Sequence, residues 1–354
     1  MIETTGDIRR LDTIIEESSK IVITAHIHPD GDAAGCTLAM RQYLASRGKD
    51  AVVVYPEPLP ETIRFISEGD DPSCILSGTG DPGKAAEAVR NADLIFCMDC
   101  NSFTRTGVLE PLMRESGAVK VLIDHHLDPE KEALTEVFSK TDISSASELL
   151  YSIILSMPDI AGKPENLPGT AGRCLMTGMT TDTNNFANSV YPSTFAMASA
   201  LLAAGVDRDA ILARLFNEYR ENRLRLMGHL LSENMRITPW GVAYMIVDEG
   251  LAAKYGIAEG ETEGFVNMPL AMGKVKMSIF LKVDGNGFFR VSVRSKQGYS
   301  SNKCATRYFH GGGHELASGG RLFYPQDVAV WQDAAGYIER VTEELFKEEG
   351  YYVE

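Results

Sequence analysis

No apolar run in this 354-residue chain approaches the ~20 residues that a bilayer-crossing helix needs, so no membrane span is expected. The opening residues, Met1-Ile2-Glu3-Thr4-Thr5-Gly6-Asp7, lack the basic segment and following apolar segment of a secretory signal. Cysteine is sparse. The six, at 36, 74, 97, 100, 174 and 304, fall mostly in apolar segments, as buried free thiols do. Cys97-x-x-Cys100 has the spacing of a zinc or redox pair, but it lies in the strand-like Leu94-Ile95-Phe96-Cys97-Met98, and no second pair completes a zinc site. A reducing cytoplasm is the expected location. Net positive charge is lacking too: the balance of −15 disfavours a protein that coats long nucleic acid, because phosphate repulsion grows with each contact. Internal repeats and low-complexity segments are absent.

The positive charge that exists is concentrated. Lys274, Lys276, Lys282, Arg290, Arg294, Lys296, Lys303 and Arg307 face one acid, Asp284, within 34 residues. A local cationic surface on an acidic protein suits a small, highly charged anion. Histidine is concentrated in the same way. Of seven, six lie in three short stretches, at 26/28, 125/126 and 310/314; His229 reads as structural.

The length suits two domains. Ile21–Ala25, Ala51–Tyr55, Asp93–Met98 and Val119–Ile123 read as buried strands. They alternate with helical segments at Ala33–Arg47, Ala85–Arg90, Glu148–Ser156 and Gly172–Met179. That alternation predicts an α/β fold: an N-terminal parallel sheet, residues 1–195, with helices on both faces. Phe195–Leu231 reads as mainly helical, broken at Gly205 and Gly228, within a connector assigned to 196–238. A smaller α/β domain, 239–354, follows, with the active-site cleft expected between the two. It contains a hairpin, Val275–Val283 and Phe289–Arg294 around the turn Asp284-Gly285-Asn286-Gly287, with one apolar and one basic face. Gln326–Gly350 reads as an amphipathic helical stretch.

In parallel sheets, ligands bind beyond the carboxyl ends of the strands. His26-Ile27-His28-Pro29-Asp30-Gly31-Asp32, Asp99 and Asp124-His125-His126 each follow a predicted strand. Asp182 follows the Gly172–Met179 helix, in a Thr/Asn-rich turn. Carboxylates and imidazoles delivered from separate strand ends are what two hard divalent cations require. Taken singly, Pro-Asp-Gly-Asp is also a helix-capping turn and Asp182 a cap; convergence favours the metal reading. Gly31 is read as allowing a sharp turn, and Gly35 as placing helix-start N–H groups nearby. In Gly311-Gly312-Gly313-His314, three glycines are expected to expose N–H donors as an anion nest, with Arg294 gripping a phosphate bidentately. A flexible glycine loop is the plainer alternative.

Asp124-His125-His126 together with Gly311-Gly312-Gly313-His314 resembles the DHH phosphoesterase superfamily and its DHHA1 partner domain. The arrangement without extra modules, and Gly264-Phe265-Val266-Asn267, resemble its nanoRNase/pAp-phosphatase subgroup. The resemblance implies two Mn²⁺-type ions, with Mg²⁺ or Co²⁺ as alternatives. His26, Asp30 and Asp99 would hold one; Asp32, Asp99, His125 and Asp182 the other. His126 would sit beside the scissile phosphate, and Asp124 would orient the histidines. Arg294, Gly311, Gly312, Gly313, His314, Asn267 and Arg105 would contact substrate. Members often carry glycine where this chain has Asn184. The implied activity is hydrolysis of short RNA or DNA oligonucleotides, with 3′-phosphatase action on pAp, and the subgroup often forms homodimers. Pyrophosphatase or exopolyphosphatase action, a catalytically silent nucleotide sensor, and a long-strand exonuclease are the alternatives.

Overall fold

The computed structural model describes residues 7–132, 134–258, 260–284 and 287–351. Residues 1–6 of the N-terminal stretch, and Gly285 and Asn286 of the expected hairpin turn, lie outside them. The chain divides into two units, Met1–Glu218 and Tyr219–Glu354. That boundary falls inside the 196–238 stretch.

Among the described residues the first unit has six strands: β1 Lys20–Thr24, β2 Asp50–Tyr55, β3 Ile75–Ser77, β4 Leu94–Met98, β5 Val119–Asp124 and β6 Glu136–Ser139. Its helices are α1 Ile8–Glu17, α2 Gly31–Ser46, α3 Pro82–Asn91, α4 Glu110–Glu115, α5 Ala146–Leu155, α6 Ala171–Asp182, α7 Pro192–Ala203 and α8 Arg208–Leu212. All pairings are parallel, in the order β3-β2-β1-β4-β5-β6. Side-chain alternation divides the core between the two faces. Ile21, Ile23, Phe96, Val121 and Ile123 pack with α1, α2, α5 and α6, whereas Val22, Ile95, Cys97 and Leu122 pack with α3 and α4 residues. β1 pairs with β2 on one side and β4 on the other, so strand order reverses there. The crevice beyond the ends of β1 and β4 is where such sheets bind ligands.

Helix α2 is buried along nearly its whole length between the sheet and α6. Gly31 and Gly35 set that contact. A β-carbon on Gly35 would lie 2.5 Å from the Cys174 carbonyl oxygen and 2.9 Å from Gly178 Cα. One on Gly31 would lie 2.4 Å from Thr181 Oγ1. Both glycines are helical, so the expected turn at Gly31 is instead a close helix crossing. The crossing brings the start of α2, with Asp30 and Asp32, beside the end of α6, with Asp182.

The second unit contains β7 Arg236–Ile237, β8 Val242–Val247, β9 Met277–Val283, β10 Phe288–Ser295, β11 Gly312–Gly313 and β12 Ala317–Phe323. Its helices are α9 Glu221–His229, α10 Glu249–Tyr255, α11 Ser301–Tyr308 and α12 Ala334–Glu348. The sheet order is β11-β12-β10-β9-β8-β7, antiparallel except between β8 and β9. Among the described residues, no helix is long and apolar enough to cross a membrane.

Three local expectations need correction. Gly228 lies inside α9, and the chain breaks instead near Glu218–Arg220, outside any helix. The hairpin's second face is not uniformly basic. Ser278 and Phe280 are buried, because the turn Phe265–Ala271 covers that end of β9. Asp182 is not in a turn but ends α6; packing against α2 outweighs the weak helix preference of Gly178, Thr180 and Thr181.

Candidate metal centre

The loop after β1 turns His26 inward. Its Nδ1 lies 2.7 Å from the Ile27 carbonyl, which fixes the ring and presents Nε2. That Nε2 lies 3.3 Å from Asp99 Oδ2 and 3.9 Å from Asp30 Oδ2. Asp30 also caps α2: its Oδ1 accepts from the amides of Asp32 and Ala33, both at 3.0 Å. Asp32, in the first turn of α2, points at the start of α5. The amides of Ala146 and Ser147 donate to its two oxygens at 2.7 and 2.9 Å. These free helix-start N–H groups suit a carboxylate, but burial, with Asp99 and Asp182 beside it, outweighs them and His125 and pushes Asp32 well above the usual carboxylate range. The pattern Ser145-x-x-Glu148 marks this helix start, since Ser145 Oγ accepts from the Glu148 amide.

Asp99 follows β4 in a left-handed conformation, φ 50°. His125 follows β5; its Nε2 lies 3.4 Å from Asp99 Oδ1 and 3.5 Å from Asp182 Oδ2. Asp124 is fully buried and accepts from His126 twice, from the ring Nδ1 at 2.8 Å and from the backbone N–H at 3.0 Å. Three groups of potential ligand atoms in this unit each lie within 4.8 Å of one another: His26-Asp30-Asp99, Asp32-Asp99-His125 and Asp99-Asp124-His126. Asp99 belongs to all three.

The donor set fits a hard or borderline divalent cation, being imidazole and carboxylate throughout. Asp99 Oδ1 gives a second test of fit. It is buried with no well-formed hydrogen bond, its nearest partners being the His125 and His126 ring nitrogens at 3.4 and 3.5 Å, and a cation between it and the imidazoles would satisfy it. Protons otherwise have to balance the clustered acids. Burial disfavours the His26 imidazolium, but Asp99 and Asp30 outweigh it and raise the group to about 9. Burial likewise opposes charging His125, and Asp182, Asp99 and Asp32 raise it to about 10. Burial, opposed by His125 and aided by Asp30 and Asp99, lifts Asp182 to about 6. Asp99 goes the other way: burial is overcome by His125, His26 and His126, and it stays well below the usual carboxylate range.

These directions predict the pH dependence of cation binding. At neutral pH, His26 and His125 hold protons that a cation must displace. Affinity for a divalent cation should therefore rise with pH between about 6 and 10, by up to roughly tenfold per unit for each displaced proton. Calorimetry in buffers of different ionisation enthalpy should count protons released near neutral pH. A pH-independent affinity would exclude these imidazoles as ligands.

The remaining candidates divide between the units. Arg105, in the 3-10 turn Phe103–Leu109, accepts from the Ile27 amide through its carbonyl at 2.7 Å, and its charge acts on His26. Asn184 stands at φ 47°, so asparagine occupies a left-handed position here. In the second unit, Arg294 on β10 donates from Nη1 to the Ser318 carbonyl at 3.2 Å, beside the tight turn His314–Ala317. Asn267 lies in the Phe265–Ala271 turn, which packs on β9 and β10.

The glycine run also has a packing role. Gly312 and Gly313 form an edge strand on β12, and the Gly311 and His314 amides donate to the Ala305 and Ala317 carbonyls. A β-carbon on Gly311 would lie 1.9 Å from the Gly319 carbonyl oxygen, and one on Gly313 would lie 2.8 Å from that of Ala317. Close strand packing thus accounts for two of the three glycines. Sequence reasoning missed the pairing of His28 with Glu57 altogether.

Residues 20–179 match the DHH family, N-terminal domain. A Streptococcus mutans protein named a probable bifunctional oligoribonuclease and PAP phosphatase NrnA is 27% identical over 87% of this chain and 91% of its own. The crystal structure of an exopolyphosphatase-related protein from Bacteroides fragilis is 31% identical, covers 99% of this chain and 100% of that one, and superposes with a TM-score of 0.87. RecJ from Thermus thermophilus in complex with Mn²⁺ shares the fold, with a TM-score of 0.55 at 16% identity over 95% of this chain and 55% of its own. With Asp124-His125-His126 at the end of its fifth strand, the chain belongs to the DHH family.

Proposed function

We propose that this protein is a metal-dependent phosphoesterase that hydrolyses short oligonucleotides to mononucleotides and removes the 3′-phosphate of pAp. The observation that carries the reading is Asp99, shared by every ligand cluster of the first unit at the carboxyl edge of a parallel sheet. The Streptococcus mutans relative, matched over 91% of its length, supports the substrate class.

His26, Asp30 and Asp99 would hold one divalent cation, and Asp32, Asp99, His125 and Asp182 a second. Mn²⁺ is the ion we favour, as in the RecJ complex. Such ions supply an activated water nucleophile and neutralise phosphate oxygens. The chain's own residues do the rest. Asp124 holds His126 by Nδ1–H and leaves its Nε2 to meet the scissile phosphate. The α5 amides hold Asp32 in place beside Asp99 and His125. Arg105 would meet a phosphate near His26. Arg294, His314 and Asn267, with Gly311, Gly312 and Gly313 shaping the backbone, would hold the far phosphate or sugar. In this reading residues 1–195 are catalytic, 196–238 connect, and 239–354 bind substrate. Six free cysteines suit a reducing cytoplasm.

The test is Mn²⁺-dependent hydrolysis of pApA, a five-nucleotide RNA, a 24-nucleotide strand, pAp, pyrophosphate and polyphosphate, with a chelator control. Preference for pApA and pAp is expected. Preference for polyphosphate or pyrophosphate would instead establish the second reading, which the Bacteroides fragilis relative's description as exopolyphosphatase-related favours.

A further inference from the structure

Glu148, in the first turn of α5, is an acidic residue with 1% of its surface exposed. Acidic side chains are almost never so buried unless they are paired. A glutamate three residues after a helix cap ordinarily reaches back to the amide of the cap itself. This one reaches elsewhere. A single oxygen, Oε2, accepts from three donors: the Ser144 amide at 3.2 Å, the Ser144 hydroxyl, and the Thr194 hydroxyl of α7 at 2.7 Å. The other oxygen, Oε1, is buried with no hydrogen-bond partner among the described residues. A buried polar atom left in that state costs stability, so capping α5 does not by itself account for Glu148.

Its hydrogen bonds join two places that bear on the metal centre. The first is the start of α5. Ser144 directly precedes the cap Ser145, and the next two amides, of Ala146 and Ser147, hold the two oxygens of Asp32. The second is the loop that leaves Asp182 and runs through residues 183–191. Asn184, Asn185, Phe186 and Ser189 are all left-handed there, with φ from 47° to 67°. Such positions are strained in residues other than glycine and persist only where the surroundings hold them. Thr183 holds one end of the loop, its hydroxyl accepting from the Phe186 amide at 3.1 Å. Thr194 holds the other, its hydroxyl accepting from the Tyr191 amide at 3.0 Å while it donates to Glu148.

In the two-ion reading above, on which this inference rests, Asp32 and Asp182 are ligands of the second ion alone. The first ion's ligands, His26, Asp30 and Asp99, come from the segments after β1 and β4. The bonds of Glu148 lead to supports of the second set. We propose that Glu148 is a positioning residue for the second ion, holding Asp32 and Asp182 in register through the starts of α5 and α7.

The experiment titrates the metal-free, full-length protein with Mn²⁺ by calorimetry, in the unaltered form and in Glu148→Ala, Glu148→Gln and Thr194→Val. The unaltered protein should bind two ions. Glu148→Ala should weaken one of them by roughly 10- to 100-fold, the usual scale for removing the support of a ligand, and leave the other little changed. Glu148→Gln keeps an oxygen for the same three donors and should retain both ions. Thr194→Val frees only the end of the loop and should weaken the same ion by less; it decides the matter if Glu148→Ala does not fold. Equal weakening of both ions would mark a merely structural loss and overturn the proposal. So would unchanged binding of both, or a glutamine variant no better than alanine. If the unaltered protein binds fewer than two ions, it is the two-ion reading that fails, and the two failures are distinct.

Discussion

Replacing Asp99 by alanine is expected to lower turnover by roughly three orders of magnitude or more, because one carboxylate serves every ligand cluster of the centre. Asp99 Oδ2 faces His26, and Oδ1 faces His125 and His126 at 3.4 and 3.5 Å. Truncation would remove the negative charge that holds those imidazoles together, and the bound-metal count should fall with the rate. Alanine also fits poorly at φ 50°. Asp99→Asn is the cleaner companion: asparagine tolerates that backbone and keeps one neutral oxygen, so a comparable loss there belongs to the missing charge. Near-normal turnover of Asp99→Ala at saturating metal would sink the assignment of the centre.

Arg294→Ala is expected to act on KM. A charge-assisted contact to a phosphate is worth about 1.5–3 kcal/mol, or roughly a 10- to 150-fold rise in KM with little change in kcat. The side chain is tethered at one end by its bond to the Ser318 carbonyl, so the guanidinium is already oriented before substrate arrives. Arg294→Lys should recover only part of the loss, because an ammonium cannot reproduce a planar two-point contact. Steady-state kinetics on pAp and pApA decide the matter. A fall in kcat at constant KM would mean that Arg294 acts in the transition state.

Much of this centre was legible before any coordinates. His26, Asp99 and Asp124 stand directly after apolar runs that fold as β1, β4 and β5, so strand geometry alone carries them to one edge. Asp182 was legible as a ligand candidate but not as the end of a helix, since Thr180 and Thr181 are weak helix formers and only the packing of α6 on α2 extends it. β3 and β6 have 3 and 4 residues, too short for alternation to mark them. The pairing of His28 with Glu57 joins residues 29 apart through a parallel-sheet crossover, which no local pattern encodes. The glycine run at 311–313 was legible as special, but the close strand packing at Gly311 and Gly313 was not, because an edge strand and a nest make the same demand on the sequence.

The α2–α6 crossing bears on how this protein can be improved. Replacing helix-interior glycine by alanine is a standard route to a more heat-resistant protein, gaining about 1 kcal/mol of helix propensity per site. Gly35 and Gly178 look like two such opportunities. Neither is one, since a methyl at 35 would strike the backbone of α6 and a methyl at 178 would fall 2.8 Å from Asp32 Oδ1. The molecule therefore accepts about 2 kcal/mol of lost helix stability to keep acidic groups from two helices side by side. Thermostabilisation should target the outer helices, and a screen for heat resistance would be expected to reject substitutions at 35 and 178.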